Sequence, residues 1–506
     1  MLLTTLDMPQ FLICLTLSIV LSLLSIFGLN NLILLYLKSK LCWRREIAYI
    51  SANVSEWPNV SVHVATYNEG DVVSRLLDSC LRLDYPADKV EVIVVDDSTD
   101  ETISILRDYE RRYYPRIKVI HRSERTGYKA GALNEALKYS RGEYILVLDA
   151  DSVPKPDFLK KTIPLFLADE KLGFVQGKPR YLNAENSWLT RALALINDWF
   201  AVFLQSTLSG CGMIVSFLGH GGVFRRRALE DIGGWMSDTI TEDIDAAYRV
   251  QLRGWRAIFY EEAESFEEVP PRYYSAVRRF KRHIKGPIQN LVKHAAPIIR
   301  HREISALKKF EALIQLAYPL VYPLGLLLIA MNTLTYLLVP GAILDHFWHT
   351  GLGYVCSLLM LLIFPYASII VSPIPSMLTI AIAALFALIL LPRDVAVRLR
   401  RADLKAMLGV ALIWNDNLIN CLIPILEVIA GGTGEWIPTE RALSHRGSVM
   451  KDKRAKLKEG MIRVTASILL LASYAAILHL NFSLNSIGII IPAALWLCSA
   501  YMIMKG

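Results

Sequence analysis

The run Leu146-Val-Leu-Asp-Ala-Asp151 places two carboxylates, Asp149 and Asp151, two residues apart at the end of an apolar stretch. In an extended chain, side chains two apart share one side. Such a pair can hold a divalent cation, and a hard cation such as Mg2+ or Mn2+ can in turn bridge a diphosphate. The same two residues could instead only cap and turn the chain. Arg125 and Lys129, in RTGYKAGALN just upstream, add positive charge suited to phosphate oxygens. Asp96 and Asp97 open the run DDSTDET behind another apolar stretch. Acids there can bind a nucleoside or sugar hydroxyl by charge-assisted hydrogen bonds, or cap the helix that follows. Thr241-Glu242-Asp243 precedes a helical pattern of Ile244, Ala247, Tyr248 and Leu252. Thr241 is expected to N-cap that helix, with both acids in its first turn, where the helix dipole favours their ionised forms. A carboxylate held there is also suited to accept a proton from a hydroxyl.

Between residues 59 and 266, short apolar stretches at 60–65, 90–95, 118–120 and 144–148 alternate with amphipathic segments at 71–83, 99–109 and 130–139. This alternation predicts a mostly parallel α/β sheet. In such sheets ligands bind beyond the carboxyl ends of the strands, which is where the aspartates above fall.

The 506 residues are 53% hydrophobic and carry a net charge of +8, enough for a catalytic domain and a membrane bundle together. The basic residues cluster beside apolar spans, where anionic headgroups attract them. No basic stripe interleaved with aromatics stands apart from the spans, so nucleic acid is not an expected partner. The seven cysteines are scattered and never spaced as CxxC, implying neither a disulfide framework nor a zinc site. The apolar run 11–37 would extend about 40 Å as a helix at ~1.5 Å per residue, more than a bilayer needs. Lys38, Lys40, Arg44 and Arg45 follow it and put what comes next in the cytoplasm.

From 269 to 302 there is no acidic residue, while Lys or Arg recurs at 272, 278, 279, 281, 282, 285, 293, 300 and 302. This segment is expected to be helical, broken at Pro287, and to lie on the cytoplasmic membrane face. Further apolar segments occupy 313–338, 351–371, 377–391, 404–430, 462–480 and 487–504. The basic stretch 441–463 is expected on the cytoplasmic side. The cost of Asn415, Asp416, Asn417 and Asn420 in lipid favours an interfacial position for 404–430. The resulting division is an N-terminal span (1–45), a cytoplasmic catalytic domain (46–268), basic interfacial helices (269–312), transmembrane and interfacial helices (313–430), a cytoplasmic loop (431–461) and a C-terminal hairpin (462–506).

Taken in order, VATYNEG (64–70), VDDSTD (95–100), KAGALN (129–134), DAD (149–151), GHGGVFRRRAL (219–229) and TED (241–243) resemble the processive-type family 2 glycosyltransferases, the cellulose, hyaluronan, chitin and mannan synthases. The likeness extends loosely through QLAYPL (315–320) to WNDNLINCLIPILEVIAGGTGEWIPTER (414–441), which is similar to their interfacial helix and gating loop. It implies a GT-A-type, Rossmann-like cytoplasmic catalytic domain inserted in an α-helical transmembrane bundle, in a multi-pass protein of the cell membrane. It also implies a nucleotide-sugar donor, UDP- or GDP-linked, and Mg2+ or Mn2+. Tyr67, Glu69, Asp96, Asp97, Lys129, Asp149 and Arg282 would bind the donor, with Asp149 and Asp151 on the metal. Asp243 would be the general base of an inverting displacement, flanked by Glu242 and Thr241. His220, Arg279 and His283 would face the acceptor, and Trp436, Thr439 and Arg441 would form the gating loop.

One departure bears on the acceptor. Where the family has Gln-x-x-Arg-Trp, this chain reads Arg279-Phe-Lys-Arg282-His283. Arg282 keeps the cation expected on the diphosphate, but an imidazole replaces the Trp platform. The acceptor is therefore either a growing polysaccharide, with chain growth coupled to secretion, or a membrane lipid such as a polyprenyl phosphate or glycolipid that takes one sugar. A non-catalytic scaffold or sugar-lipid transporter is the reading from another class, and the intact DAD and TED motifs count against it.

Overall fold

The computed structural model describes residues 7–40, 54, 56–339, 404–432, 449–480 and 489–505. The apolar segments 351–371 and 377–391, and the loop residues Trp436, Thr439 and Arg441, lie outside the described residues.

After helix α1 (Met8–Lys40) the chain enters an α/β domain: β1 (Val60–Thr66), α2 (Gly70–Leu81), β2 (Val90–Asp96), α3 (Thr102–Tyr113), β3 (Ile117–His121), α4 (Tyr128–Tyr139) and β4 (Tyr144–Asp149). These are the expected elements, moved by at most three residues at their starts. Valines at every second position drive β1 and β2. Val60, Val62, Val64, Val92 and Val94 pack with Leu76, Leu77 and Leu106 on one side of the sheet, while Ile93 and Val95 meet Ala132 and Ala136 on the other. Each such fully buried side chain contributes roughly 1.5–3 kcal/mol.

The second half carries β5 (Val153–Pro154), α5 (Phe158–Ala168), β6 (Leu172–Tyr181), α6 (Trp188–Asp198), a π-helical turn (Trp199–Gln205), α7 (Ser206–Gly210), β7 (Gly222–Arg225), α8 (Arg226–Asp231), α9 (Glu242–Leu252) and β8 (Arg256–Glu267). The eight strands lie in the order β3-β2-β1-β4-β7-β6-β8-β5. Pairs among β1 to β4 are parallel, as is β6 with β8, but β7 runs antiparallel to both β4 and β6, and β5 runs antiparallel to β8. The sheet is therefore mixed rather than mostly parallel. Its reversal follows a glycine turn in which Gly219 and Gly221 have φ of 90° and 62°.

Helix α10 (Tyr273–Arg300) runs unbroken through Pro287 and Pro297. A proline removes one hydrogen bond and crowds the preceding turn, but packing along the helix outweighs that cost, with Ile284, Ile288, Asn290 and Ile298 all buried. Four of the basic residues of this segment face protein carboxylates. Arg279 pairs with Glu267, Lys281 with Glu459, Lys285 with Glu427, and Lys293 with Asp238 and Asp245.

Helices α11 (Ala306–Ala317), α12 (Val321–Leu338), α13 (Leu404–Asn420), α14 (Leu422–Ile429), α15 (Val449–Leu480) and α16 (Ile490–Lys505) pack with α1 as an apolar bundle. Among the described residues, four helical stretches are long and apolar enough to cross a membrane: Met8–Lys38, Ala306–Leu338, Lys405–Ile429 and Lys453–His479. Asn415, Asp416, Asn417 and Asn420, whose cost in lipid argued for an interfacial 404–430, are buried against protein. Asp416 is clasped by Arg463 and by Ser499 Oγ at 2.8 Å.

Candidate functional site

The carboxyl ends of β1, β2 and β4 open into a cavity of about 360 Å³ that continues between the domain and the apolar helices. Tyr67, Glu69, Asp97, Arg125, Lys129, Asp149, Asp151, His220, Thr241, Glu242, Asp243, Arg279, Arg282 and His283 all line it. Residues far apart in sequence are thus brought to one place, as the strand-end argument required.

Asp96 is the exception among the expected residues. Successive strand residues point to opposite sides, and at the end of β2 it is Asp97 that reaches the cavity. Asp96 is fully buried behind it, bonded by His121 Nδ1 at 2.8 Å and the Ser98 backbone N–H at 3.1 Å. It orders the loop that presents Asp97. Arg122, which the motifs did not single out, grips Asp97 through two bonds of 2.7 and 2.6 Å. Beside them the Arg125 guanidinium lies 3.7 Å over the Tyr67 ring, forming a flat face.

On α4, Lys129 Nζ donates to Asp149 Oδ1 at 2.6 Å and to the Gly219 carbonyl at 2.8 Å, and stands 3.7 Å from Glu242 Oε1. Burial pulls its ammonium down, but the Asp149 and Glu242 carboxylates outweigh that and hold it well above the ordinary lysine value. It stays charged.

Thr241 does not cap α9 with its side chain. Its hydroxyl instead accepts from Asn290 Nδ2 of α10 at 2.9 Å, and α10 presses so closely that a Cβ on Gly286 would lie 2.3 Å from Thr241 Cγ2. Asp243 also departs from expectation. Burial first, and then the adjacent Glu242, push its carboxyl up from 3.8 to about 7, against the pull of Lys129 and Arg282. Desolvation and a like charge overcome the helix dipole here. A carboxyl poised near neutrality is well matched to taking a proton at physiological pH.

On the opposite wall, Glu267 at the end of β8 joins His220 Nε2 at 3.3 Å to Arg279 Nη2 at 3.4 Å. Burial would raise Glu267, yet Arg279 and His220 bring its carboxyl down to about 2. His220 is correspondingly raised, the Glu267 charge outweighing burial. Sequence reasoning missed Glu267, although it is the next-to-last residue of the acidic run EEAESFEE that precedes the acid-free stretch. His283 goes the other way: burial first, then Arg279 and Arg282, hold it well below its usual value. The imidazole that replaces the family's Trp is therefore neutral.

Among the described residues, no group of three or more His, Cys, Asp or Glu side chains gathers as a metal cage. Two carboxylates, Asp149 and Asp151, do face one cavity beside cations. Hard oxygen ligands of this kind suit a divalent ion that completes its shell with water and substrate phosphate rather than with protein.

The membrane side of the cavity is lined by Asn30, Asn31, Glu311, Tyr318, Tyr322 and Trp414, and its flank by Trp199, Phe200, Phe203 and Leu204 of the π-helical turn.

Residues 58–286 match the family model described as glycosyltransferase like family 2. The chain is 31% identical over 312 residues to a probable glucomannan 4-beta-mannosyltransferase 10 of Arabidopsis thaliana, covering 58% of this chain and 56% of that protein. It is 34% identical over 265 residues to a probable glucomannan 4-beta-mannosyltransferase 7 of Oryza sativa subsp. japonica, covering 51% and 45%. It thus spans about half the length of the curated relatives it matches. Among solved structures, it is similar to the mannosyltransferase PcManGT from Pyrobaculum calidifontis, in complex with GDP-Man and Mn2+, at 25% identity and a TM-score of 0.51 over 81% of this chain and 99% of that one.

Proposed function

We propose that the chain, whose residues 58–286 match the family 2 glycosyltransferase model and form a mixed sheet, transfers mannosyl units from GDP-mannose to a growing β-mannan-type glycan, with inversion. The observation that carries the reading is the opposition, in one cavity, of a carboxyl poised near pH 7 and a cradle of Lys129, Arg282, Asp149 and Asp151. The choice of GDP-mannose rests on the similarity to a mannosyltransferase bound to that donor.

In this mechanism the Tyr67 and Arg125 face takes the nucleobase, and Asp97 and Glu69 take hydroxyls of the nucleoside or sugar. An acceptor hydroxyl attacks the anomeric carbon as its proton passes to Asp243. The bond from that carbon to the diphosphate breaks, and the electron pair stays on the departing oxygen. Lys129 and Arg282 meet the charge that develops there. Asp149 and Asp151 would hold a divalent ion, Mn2+ or Mg2+, whose bound form supplies further neutralisation of the diphosphate. No covalent intermediate with the protein is needed. Glu267 orients His220 and Arg279 on the acceptor side. The charges after α1 support a multi-pass membrane protein with its catalytic domain in the cytoplasm.

A lipid acceptor that takes a single sugar is the second reading, favoured by one observation: Trp199, Phe200, Phe203 and Leu204 give the cavity an apolar flank against the first membrane helix. Incubation with labelled GDP-mannose and product sizing separates a polymer from a lipid carrying one sugar. Asp243→Asn should abolish transfer and leave donor binding nearly intact, whereas Asp151→Asn should weaken metal-dependent donor binding. The reverse pattern would overturn these roles, and absence of any binding or hydrolysis of GDP- or UDP-sugars with Mn2+ or Mg2+ would overturn the enzyme reading.

A further inference from the structure

Lys281, Lys285 and Gln289 follow one another on α10 at four-residue spacing and so form one stripe of the helix. Each meets an apolar helix of the bundle or the turn that follows it. Lys281 Nζ pairs with Glu459 Oε1 of α15, Lys285 Nζ pairs with Glu427 Oε2 of α14 at 2.6 Å, and Gln289 Nε2 reaches the Gly432 carbonyl at 3.3 Å. The first contact continues inward. Glu459 Oε2 lies 3.0 Å from Arg463 Nη1, and Arg463 clasps Asp416 of α13 through Nε at 2.6 Å and Nη2 at 2.9 Å. Arg463 and Asp416 are fully buried. A row of alternating charge therefore runs from α10 into the apolar bundle.

The adjoining side of the same helix faces the reaction. Arg279, Arg282 and His283 line the cavity, while Gly286 and Asn290 seat Thr241. Gln289 belongs to both sides, because its Oε1 also accepts from the Ile240 backbone N–H at 3.0 Å. Lys285 is buried, although Glu427 is half exposed, and Lys281 meets the mostly buried Glu459; a buried charge left without its partner is costly, so the Lys285 ammonium and the Glu459 carboxylate admit few arrangements. A helix is a stiff rod, and its rotation and depth are set where those pairs form. Small displacements of a charge-stabilising group lower rates steeply.

We propose that Lys281 and Lys285 are positioning residues: through Glu459 and Glu427 they fix α10 on the membrane helices and so set where Arg282 meets the donor diphosphate. The inference rests on the reading of Arg282 as a diphosphate ligand given above.

The test uses the full chain in detergent or nanodiscs, with calorimetric binding of GDP in Mn2+ and steady-state turnover of GDP-mannose. Lys285→Met and Lys281→Met remove the charge and keep the stem, so they perturb folding least. With folding verified by a cooperative thermal transition, each should weaken GDP binding about tenfold, the usual range of coupling between contacting groups, and lower kcat. The exchanged pair Lys285→Glu with Glu427→Lys should recover most of the affinity that Lys285→Glu alone loses. A purely structural role would change the yield of folded protein and leave the binding constant per folded molecule untouched. Wild-type GDP affinity and kcat in both folded Met variants would overturn the proposal, as would an exchanged pair no better than the single variant. Arg282→Ala separates the two levels. If it binds GDP as wild type does, the diphosphate reading itself falls; if it binds weakly while the lysine variants do not, only the positioning role falls.

Discussion

Replacing Asp243 by Asn sets activity against stability in a way that depends on pH. The Asp243 carboxyl stands at about 7 in the folded chain against an ordinary 3.8. A group whose value is raised by folding contributes stability that is present in full below its unfolded value and is lost as pH rises through the folded one. Ionised Asp243 therefore weighs against the native state above about pH 7. At 1.36 kcal/mol per tenfold the interval corresponds to a ceiling of about 4 kcal/mol. Asp243 is only partly buried on the cavity wall, and solvent screening there brings the expected figure to about 1–2 kcal/mol. Asn cannot ionise, so Asp243→Asn should unfold at a higher temperature than wild type at pH 8 and by a smaller margin at pH 5, the two converging only as pH falls below the unfolded value of 3.8. Loss of the base should lower turnover by about 10²–10⁴-fold, and wild-type kcat/KM should rise with pH through a midpoint near 7. The assays are thermal unfolding of the detergent-solubilised protein at the two pH values and release of GDP from GDP-mannose across the pH range. A variant no more stable than wild type at pH 8, or one that keeps its turnover, would refute the argument that burial makes this carboxyl the base.

Three further outcomes are expected. Glu267→Gln leaves His220 and Arg279 facing each other without their shared carboxylate and should cost about 3–5 kcal/mol at neutral pH. Because Glu267 is depressed to about 2, that contribution is present above the ordinary glutamate value and fades as pH falls toward 2, so wild type and variant should converge in stability in acid. Gly219→Ala forces φ of 90° on an L-residue and brings its Cβ within 2.9 Å of Asp243 Oδ2; displacement of the base should lower kcat about 10²-fold with donor KM little changed, measured by steady-state kinetics. Chelation with EDTA should abolish donor turnover, Mn2+ or Mg2+ should restore it, and Asp151→Asn should raise the metal concentration needed for half-maximal activity.

The parallel half of the domain was legible because β1, β2 and β4 are carried by alternating or continuous valine, leucine and isoleucine, and each ends on a polar residue that serves the site. The strands β6 and β8 were not, because Gly173, Gly177 and Pro179 interrupt one and acidic residues crowd the other. Their pairing is decided by neighbours distant in sequence. Motif order gathered residues that line one cavity, but it could not tell Asp96 from Asp97, which differ only in the side of the strand they face. Nor could it assign a charge state. The helix dipole at Asp243 is a local effect readable from sequence, whereas the burial that overrides it belongs to the assembled cavity. The expected break at Pro287 failed for the same reason: the local cost of proline is small beside the packing of the whole helix.

The acid-free stretch 269–302 also has a consequence in time. Its lysines find their carboxylates far downstream, Lys285 with Glu427 across 142 residues and Lys281 with Glu459 across 178. At a synthesis rate of about 5–20 residues per second, the second partner emerges roughly 9–36 s after the first. Through that interval a nascent chain holds its nucleotide-facing strands but not the supports of α10. Competence for transfer is therefore expected to arrive only once α14 and α15 have been made, well after the strands that face the donor.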